Sequence, residues 1–194
     1  MSNKIGVLGG TFDPIHLGHL ITAQSVLEQR NLRKIIFIPC NISPHKTVIK
    51  SAPPQHRLKM LSLALEDYPD FEFSSYEIDK GDVSYTLDTL LELKKTYSKI
   101  ELIIGFDNLI TFDTWREPDK ILELADLVVM KRSSDIEIKK AHKYFGEAIY
   151  VQTPTIEISS TEIRRRIKQN MTITNLVPDK VKEYIFEHKL YENN

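Results

Sequence analysis

One cysteine and seven glycines are all that 194 residues contain of either type. The lone Cys40 rules out an intramolecular disulfide and a cysteine-rich metal knuckle, and it fits a cytoplasmic setting. Nothing near it is an obvious activating base, so it reads as a packing residue after a strand. No apolar run is long enough to span a bilayer, and no leader-like segment precedes the first apolar run. A membrane partner is therefore not expected. Excess charge is missing too: 26 Lys and Arg against 27 Asp and Glu leave a formal −1. Without a global basic footprint, nucleic acid is not an expected partner. Any anionic ligand must be held by local clusters. The familiar phosphate motifs are absent, since Gly6, Gly9 and Gly10 do not make G-x-G-x-x-G and no Gly-Lys-Ser/Thr follows. Hydrophobic residues make up 41% of the chain, enough to fill a core at this length. Residues 1–194 read as one domain, with a small helical subregion from about residue 159. A homo-oligomer is compatible with that reading.

What is present centres on Gly9-Gly10-Thr11-Phe12-Asp13-Pro14-Ile15-His16-Leu17-Gly18-His19. The apolar run Lys4 to Leu8 predicts a buried strand before it. Leu17, Leu20, Ile21, Ala23, Val26 and Leu27 predict a helix after it. Adjacent glycines let a ligand approach the backbone without a Cβ between them. A helix start adds N–H groups and a positive dipole end, which together suit phosphate. His16 and His19 sit three apart and share a helix face. They could also be zinc ligands, but no His-Glu-x-x-His follows and no cysteine cluster supplies a third ligand. No resident metal is expected.

Further on, apolar runs at Lys34–Pro39, Ile100–Ile104, Asp126–Met130 and Ala148–Val151 predict buried strands of a parallel sheet. A less buried strand is expected at Phe71–Ile78. Helical stripes fall at 55–65, 87–93, 121–125, 136–145 and after Pro178. The basic residues of 136–145, Lys139, Lys140, His142 and Lys143, read as a solvent face. The fold class is α/β: a doubly wound, Rossmann-like, mostly parallel sheet with helices on both faces. Loops at strand C-termini carry ligands in such sheets, and His16/His19, Lys46, Gly105/Asp107 and Ser159 to Arg164 all fall there. The prolyl loop 41–54 offers His45 and Lys46, with Arg57 just beyond it. Ser84, Tyr85 and Thr86 bring hydroxyls to a helix start, as ligand contacts or as an N-cap. Gly105 and Asp107 form a second strand–glycine–acid turn, with Asp107 as a ribose contact or as the cap of the next helix. Ser159, Ser160, Thr161 and Arg164 open a basic helix, and Ser159 with Glu162 fits a capping box. The single tryptophan, Trp115, is either core or a platform for a planar ring. Residue chemistry alone reaches a nucleotide-binding α/β domain.

Gly10-Thr11-Phe12-Asp13-Pro14 with His16-x-Gly18-His19 resembles the first signature of the HxGH nucleotidyltransferase superfamily. Ile158-Ser159-Ser160-Thr161-x-Ile163-Arg164 resembles the second. Ser84-Tyr85-Thr86-x-Asp88-Thr89-Leu90 and Gly105-x-Asp107 through Trp115 are similar to the bacterial nicotinate-nucleotide adenylyltransferases, and the likeness runs from Lys4 to Tyr191. It implies that Gly9, Gly10, Thr11, Phe12, His16 and His19 meet ATP phosphates. Gly105 and Asp107 would hold adenosine, while Ser159, Ser160, Thr161 and Arg164 grip the triphosphate from the far side. Lys46, Ser84, Tyr85, Thr86, Trp115 and Arg116 would take nicotinate mononucleotide, and Mg²⁺ would arrive mainly on the ATP phosphates. His16, His19, Lys46 and Arg164 would then be the catalytic set. The reaction implied is adenylyl transfer to give deamido-NAD and pyrophosphate. Sister transferases using phosphopantetheine, flavin mononucleotide, a cytidylyl donor or nicotinamide mononucleotide, a nucleotide-binding sensor without turnover, and a zinc hydrolase are the rival readings.

Overall fold

The computed structural model describes residues 4–42, 51–131 and 143–192. Its strands are β1 (Lys4–Gly10), β2 (Lys34–Pro39), β3 (Phe71–Phe73), β4 (Lys99–Gly105), β5 (Asp126–Lys131) and β6 (Ile149–Gln152). They join one sheet in the order β3-β2-β1-β4-β5-β6, and every pair is parallel. The sheet grows one way from β1 and then restarts on its other side at β4. That reversal opens a crevice beyond the C-terminal ends of β1 and β4.

The helices are α1 (Leu17–Arg30), α2 (Pro54–Leu65), α3 (Tyr76–Lys80), α4 (Thr86–Lys94), α5 (Phe106–Ile110), α6 (Pro118–Leu124), α7 (Tyr144–Glu147), α8 (Ser160–Lys168) and α9 (Asp179–Glu187). Alternation along each strand sorts them into two layers. Ile35 and Phe37 face a core built with α1, α2, α8 and α9. Ile36 and Ile38 face the opposite core, built with α4, α5, α6 and α7. The C-terminal helices thus share a core with the first two, through Ile163, Ile167, Val181 and Ile185. At the far end of the sheet, the buried Glu101 accepts from Lys4 Nζ at 2.8 Å and from Arg30 Nη2 at 2.8 Å. This pins the end of α1 to β1 and β4.

Two expected elements come out differently. The strand expected over Phe71–Ile78 stops at Phe73 and α3 follows. The Ser74 N–H makes a last bond to the Phe37 carbonyl. The chain then turns to bury Glu77, whose Oε1 accepts from Thr89 Oγ1 at 2.5 Å. The helix expected over 136–145 is described only from residue 143, where α7 begins a residue later; Lys139, Lys140 and His142 lie outside the described residues.

Candidate active site

β1 ends at Gly10, and the chain turns back sharply through Phe12, which adopts a left-handed φ of 48°. The ring folds under the turn: a Cβ on Gly10 would lie 2.8 Å from it. Glycine is therefore needed at position 10 to admit that ring. At Gly9 a Cβ would meet nothing within 4 Å, so its backbone faces open space. The Phe12 ring packs edge-on against His19 at 5.2 Å and tilts against Phe37 at 5.7 Å.

His16 is the N-cap of α1, and its ring stacks on His19 at 3.6 Å. The His16 N–H donates to His19 Nδ1 at 3.3 Å. That bond assigns Nδ1 of His19 as acceptor and leaves the proton of the neutral ring on Nε2. His16 is 6% exposed, and burial pushes its pKa down to about 4. It is neutral at pH 7. Its Nδ1 is buried without a hydrogen-bond partner among the described residues. A proton there would be an unmet buried donor, which favours the Nε2–H form. The helix start is less open than the sequence suggests. Leu17 N–H donates to the Leu176 carbonyl at 3.0 Å, and His19 N–H to the His16 carbonyl at 3.0 Å. The two imidazoles therefore carry more of the site than the helix end does.

A cavity of about 670 Å³ opens over this turn. It is lined by Gly9, Gly10, Thr11, Phe12, His16, His19, Gly105, Asp107, Ser159, Ser160, Thr161 and Arg164, which three separate segments contribute. An adjoining cavity of about 420 Å³ is lined by Ser84, Tyr85, Thr86, Trp115 and Arg116. Gly9, Gly10, Thr11, Cys40, Ile104 and Asn108 border both. Every described candidate residue except Arg57 thus falls on one of two connected chambers. Lys46 and His45 lie outside the described residues.

Several local roles differ from expectation. Gly105, not Asp107, is the N-cap of α5, and Asp107 lies exposed in its first turn. Tyr85 is the N-cap of α4; the Ser84 hydroxyl instead accepts the Asn41 N–H at 2.9 Å. Ser159 caps α8 by accepting from Glu162 N–H at 3.2 Å, but Glu162 turns to Arg165 at 2.6 Å and the box stays half-made. Ser160 Oγ donates to the Pro14 carbonyl at 2.9 Å and ties α8 to the turn. Cys40 is half-buried, belongs to neither core, and borders both chambers.

Arg57 does not face an anion. It is 1% exposed and donates to four carbonyls: Ala52 at 3.1 Å, Thr11 at 2.9 Å, Cys40 at 2.7 Å and Asn41 at 3.3 Å. It clamps the segments on both sides of residues 43–50 to the glycine turn. The sequence did hold a sign of this: Arg57 shares a helix face with the buried Met60, Leu61 and Ala64. Asp13 carries no ligand assignment in the sequence reading, yet it is 3% exposed and central. Its carboxylate accepts from Ala52 N–H at 3.0 Å and from Tyr191 Oη at 2.7 Å. No local pattern pairs residues so far apart in the chain. Asn108, beside Asp107, also borders both chambers, and no sequence motif marks it.

A doubly wound sheet with a glycine turn, paired histidines and a basic helix around one crevice defines a nucleotide-binding protein of the nucleotidyltransferase class. Residues 7–166 match the family model described as cytidylyltransferase-like. The chain is 38% identical to a protein of Thermoanaerobacter sp. (strain X514) named "Probable nicotinate-nucleotide adenylyltransferase", across 98% of this chain and 95% of that one. It is 41% identical to one of the same name from Hydrogenobaculum sp. (strain Y04AAS1), across 96% and 97%. In fold it is similar to the nicotinic acid mononucleotide adenylyltransferase of Plasmodium falciparum complexed with APC, with a TM-score of 0.76 at 18% identity, covering 97% and 96%. The chain belongs to the nicotinate-nucleotide adenylyltransferase family within the cytidylyltransferase-like proteins. Among the described residues, no helix is long and apolar enough to cross a membrane.

Proposed function

We propose that this enzyme joins ATP and nicotinate mononucleotide. The 5′-phosphate of the mononucleotide attacks the α-phosphorus of ATP. The bond from that phosphorus to the bridging oxygen of the β-phosphate breaks, and pyrophosphate leaves with the electron pair. The product is deamido-NAD. The observation that carries this reading is the pair of chambers meeting at Gly9–Thr11, one walled by histidines and a basic helix, the other by hydroxyls and aromatic rings.

The attacking phosphate is already anionic, so the reaction needs alignment and charge stabilisation more than a base. His19 presents its Nε2–H to the phosphates. His16 binds as a neutral donor and gains a proton more readily once an anion arrives. Arg164, and Lys46 by the family resemblance, add positive charge to the departing pyrophosphate. Ser159, Ser160 and Thr161 close the far wall. Gly105 and Asp107 meet adenosine; Ser84, Tyr85, Thr86, Trp115 and Arg116 meet the mononucleotide. Mg²⁺ enters as part of the Mg·ATP substrate. Asp13, the buried acid beside the turn, is already committed to protein donors, so the phosphates and water are left to coordinate the ion. The likeness in fold to the Plasmodium falciparum nicotinic acid mononucleotide adenylyltransferase complexed with NaAD supports the choice of nucleotides.

Pyrophosphate release from Mg·ATP tests the reading, run in parallel with nicotinate mononucleotide, nicotinamide mononucleotide, phosphopantetheine and flavin mononucleotide. Turnover with nicotinate mononucleotide is expected to dominate. Dominant turnover with another acceptor would discard the assignment of the smaller chamber. ATP binding without any turnover would favour a sensor.

A further inference from the structure

We propose that Tyr191 is a positioning residue for Arg164 and acts through Asp13. The proposal rests on the reading of the larger chamber as the ATP triphosphate site. Asp13 stands between the two side chains. Its Oδ1 accepts from Tyr191 Oη at 2.7 Å and from Ala52 N–H at 3.0 Å. Its Oδ2 lies 3.5 Å from Arg164 Nη1. That nitrogen donates instead to the Asp13 carbonyl at 2.6 Å, and Nη2 donates to Thr161 Oγ1 at 3.3 Å. The guanidinium therefore rests beside a buried carboxylate without closing a two-pronged pair. From there it lines the chamber wall.

The two donors on Oδ1 account for this. A carboxylate 4% exposed attracts a neighbouring cation strongly, because water screens little there. A fork-to-fork arginine–carboxylate pair would be the expected outcome. Hydrogen bonds from Tyr191 and Ala52 occupy Oδ1 and spread its charge, so Arg164 is held in place but not captured. Burial and the nearby Asp13 charge both raise the Tyr191 pKa, so the hydroxyl stays a donor. The backbone makes a costly approach to achieve the contact. After α9, Lys189 and Tyr191 both adopt left-handed φ, 51° and 66°, and neither is glycine. Such conformations persist only where the surroundings impose them. Here Leu190 N–H is fixed on the Ile185 carbonyl, and Leu190 and Tyr191 pack on the core.

Tyr191→Phe keeps the ring and removes only the hydroxyl. The Asp13 carboxylate then closes on Arg164 and draws it from the phosphates. Calorimetry should show ATP and pyrophosphate binding weakened about fivefold, the worth of one hydrogen bond. KM for nicotinate mononucleotide and the melting temperature should stay near wild type, which a merely structural role would not allow. Adding Asp13→Asn should restore ATP affinity to within about twofold, since an amide does not capture the cation. Asp13→Asn alone should bind ATP at least as tightly as wild type. Unchanged ATP affinity in a folded Tyr191→Phe protein would overturn the proposal, as would a double variant weaker than the single one. Weaker ATP binding in Asp13→Asn alone would do the same. Wild-type protein that binds ATP but never adenylylates the mononucleotide would remove the proposed reaction and leave Tyr191 in its role. Failure of wild type to bind either ATP or pyrophosphate would overturn both.

Discussion

The two chambers are built on different principles. Around the larger one, almost every side chain is fixed by another part of the protein. His19 is held by the His16 backbone, Ser160 by Pro14, Arg164 by the Asp13 carbonyl, and the turn itself by Arg57. The smaller chamber is looser. Arg116 is exposed, lies 4.9 Å over the Tyr85 ring and reaches Asp88 only at 3.7 Å. Trp115 is half-buried against Phe112 at 5.1 Å. A developing charge is stabilised only by donors that do not have to move, whereas a flat ring needs only an apolar face. The contrast predicts that changes at the first chamber cost stability, ATP affinity or kcat, and changes at the second cost affinity for the mononucleotide.

The largest effect should come from Arg57→Met. It strips the carbonyls of four half-buried residues of their donor, and each polar group left unmet costs roughly 1–3 kcal/mol. Some will find water, so a loss of about 4 kcal/mol in urea unfolding is expected. Arg57→Lys, which cannot span all four, should fall in between. A loss under about 1 kcal/mol for Met would mean that the clamp is dispensable and the contrast overdrawn.

His16 supplies the next test, through pH. Its folded pKa of about 4 lies below the ordinary 6.5. Between those values the unfolded chain binds a proton that the folded one refuses, so stability falls as pH drops from 6.5 toward 4. The full shift corresponds to about 3 kcal/mol, reached near the lower limit. Unfolding of ligand-free protein across that range should show the slope, and His16→Gln should flatten it. An equal slope in the variant would assign the acid sensitivity elsewhere.

The same contrast governs what was legible in the sequence. Strands β1, β2, β4, β5 and β6 are near-continuous apolar runs, and their alternation with helices gives the parallel sheet directly. Phe71–Ile78 misleads because Glu77 is buried for a tertiary hydrogen bond that no local pattern announces. In the site, glycines, paired histidines and hydroxyl-rich helix starts carry their chemistry locally and could be read. Asp13 and Tyr191 could not be assigned, because they meet across 178 positions of the chain, whereas Arg57 showed its burial only through the apolar helix face it shares. Motifs display the groups facing the crevice. The groups that hold them appear only when the chain is folded.

Within the reaction, His19→Ala should lower kcat by about 10²-fold, as for loss of one preorganised donor. Its fold should survive, because the ring lies against the crevice and is only half-buried. Single-turnover rates with saturating Mg·ATP and mononucleotide measure this. A near-normal rate in folded protein would take the imidazole out of the chemistry.

The smallest effect, and the one that separates the two chambers, is Trp115→Ala. The indole packs on Phe112 and borders the second chamber, so its removal takes away an apolar face without touching a charged group. Stacking of a planar ring on an aromatic side chain is worth about 1 kcal/mol, so KM for nicotinate mononucleotide should rise about five- to tenfold. KM for ATP and kcat should change little, since the phosphate groups still align. Trp115→Phe should recover part of the affinity. A fall in kcat at saturating mononucleotide would show that Trp115 also orients the attacking phosphate, and the two chambers would then act as one rigid site.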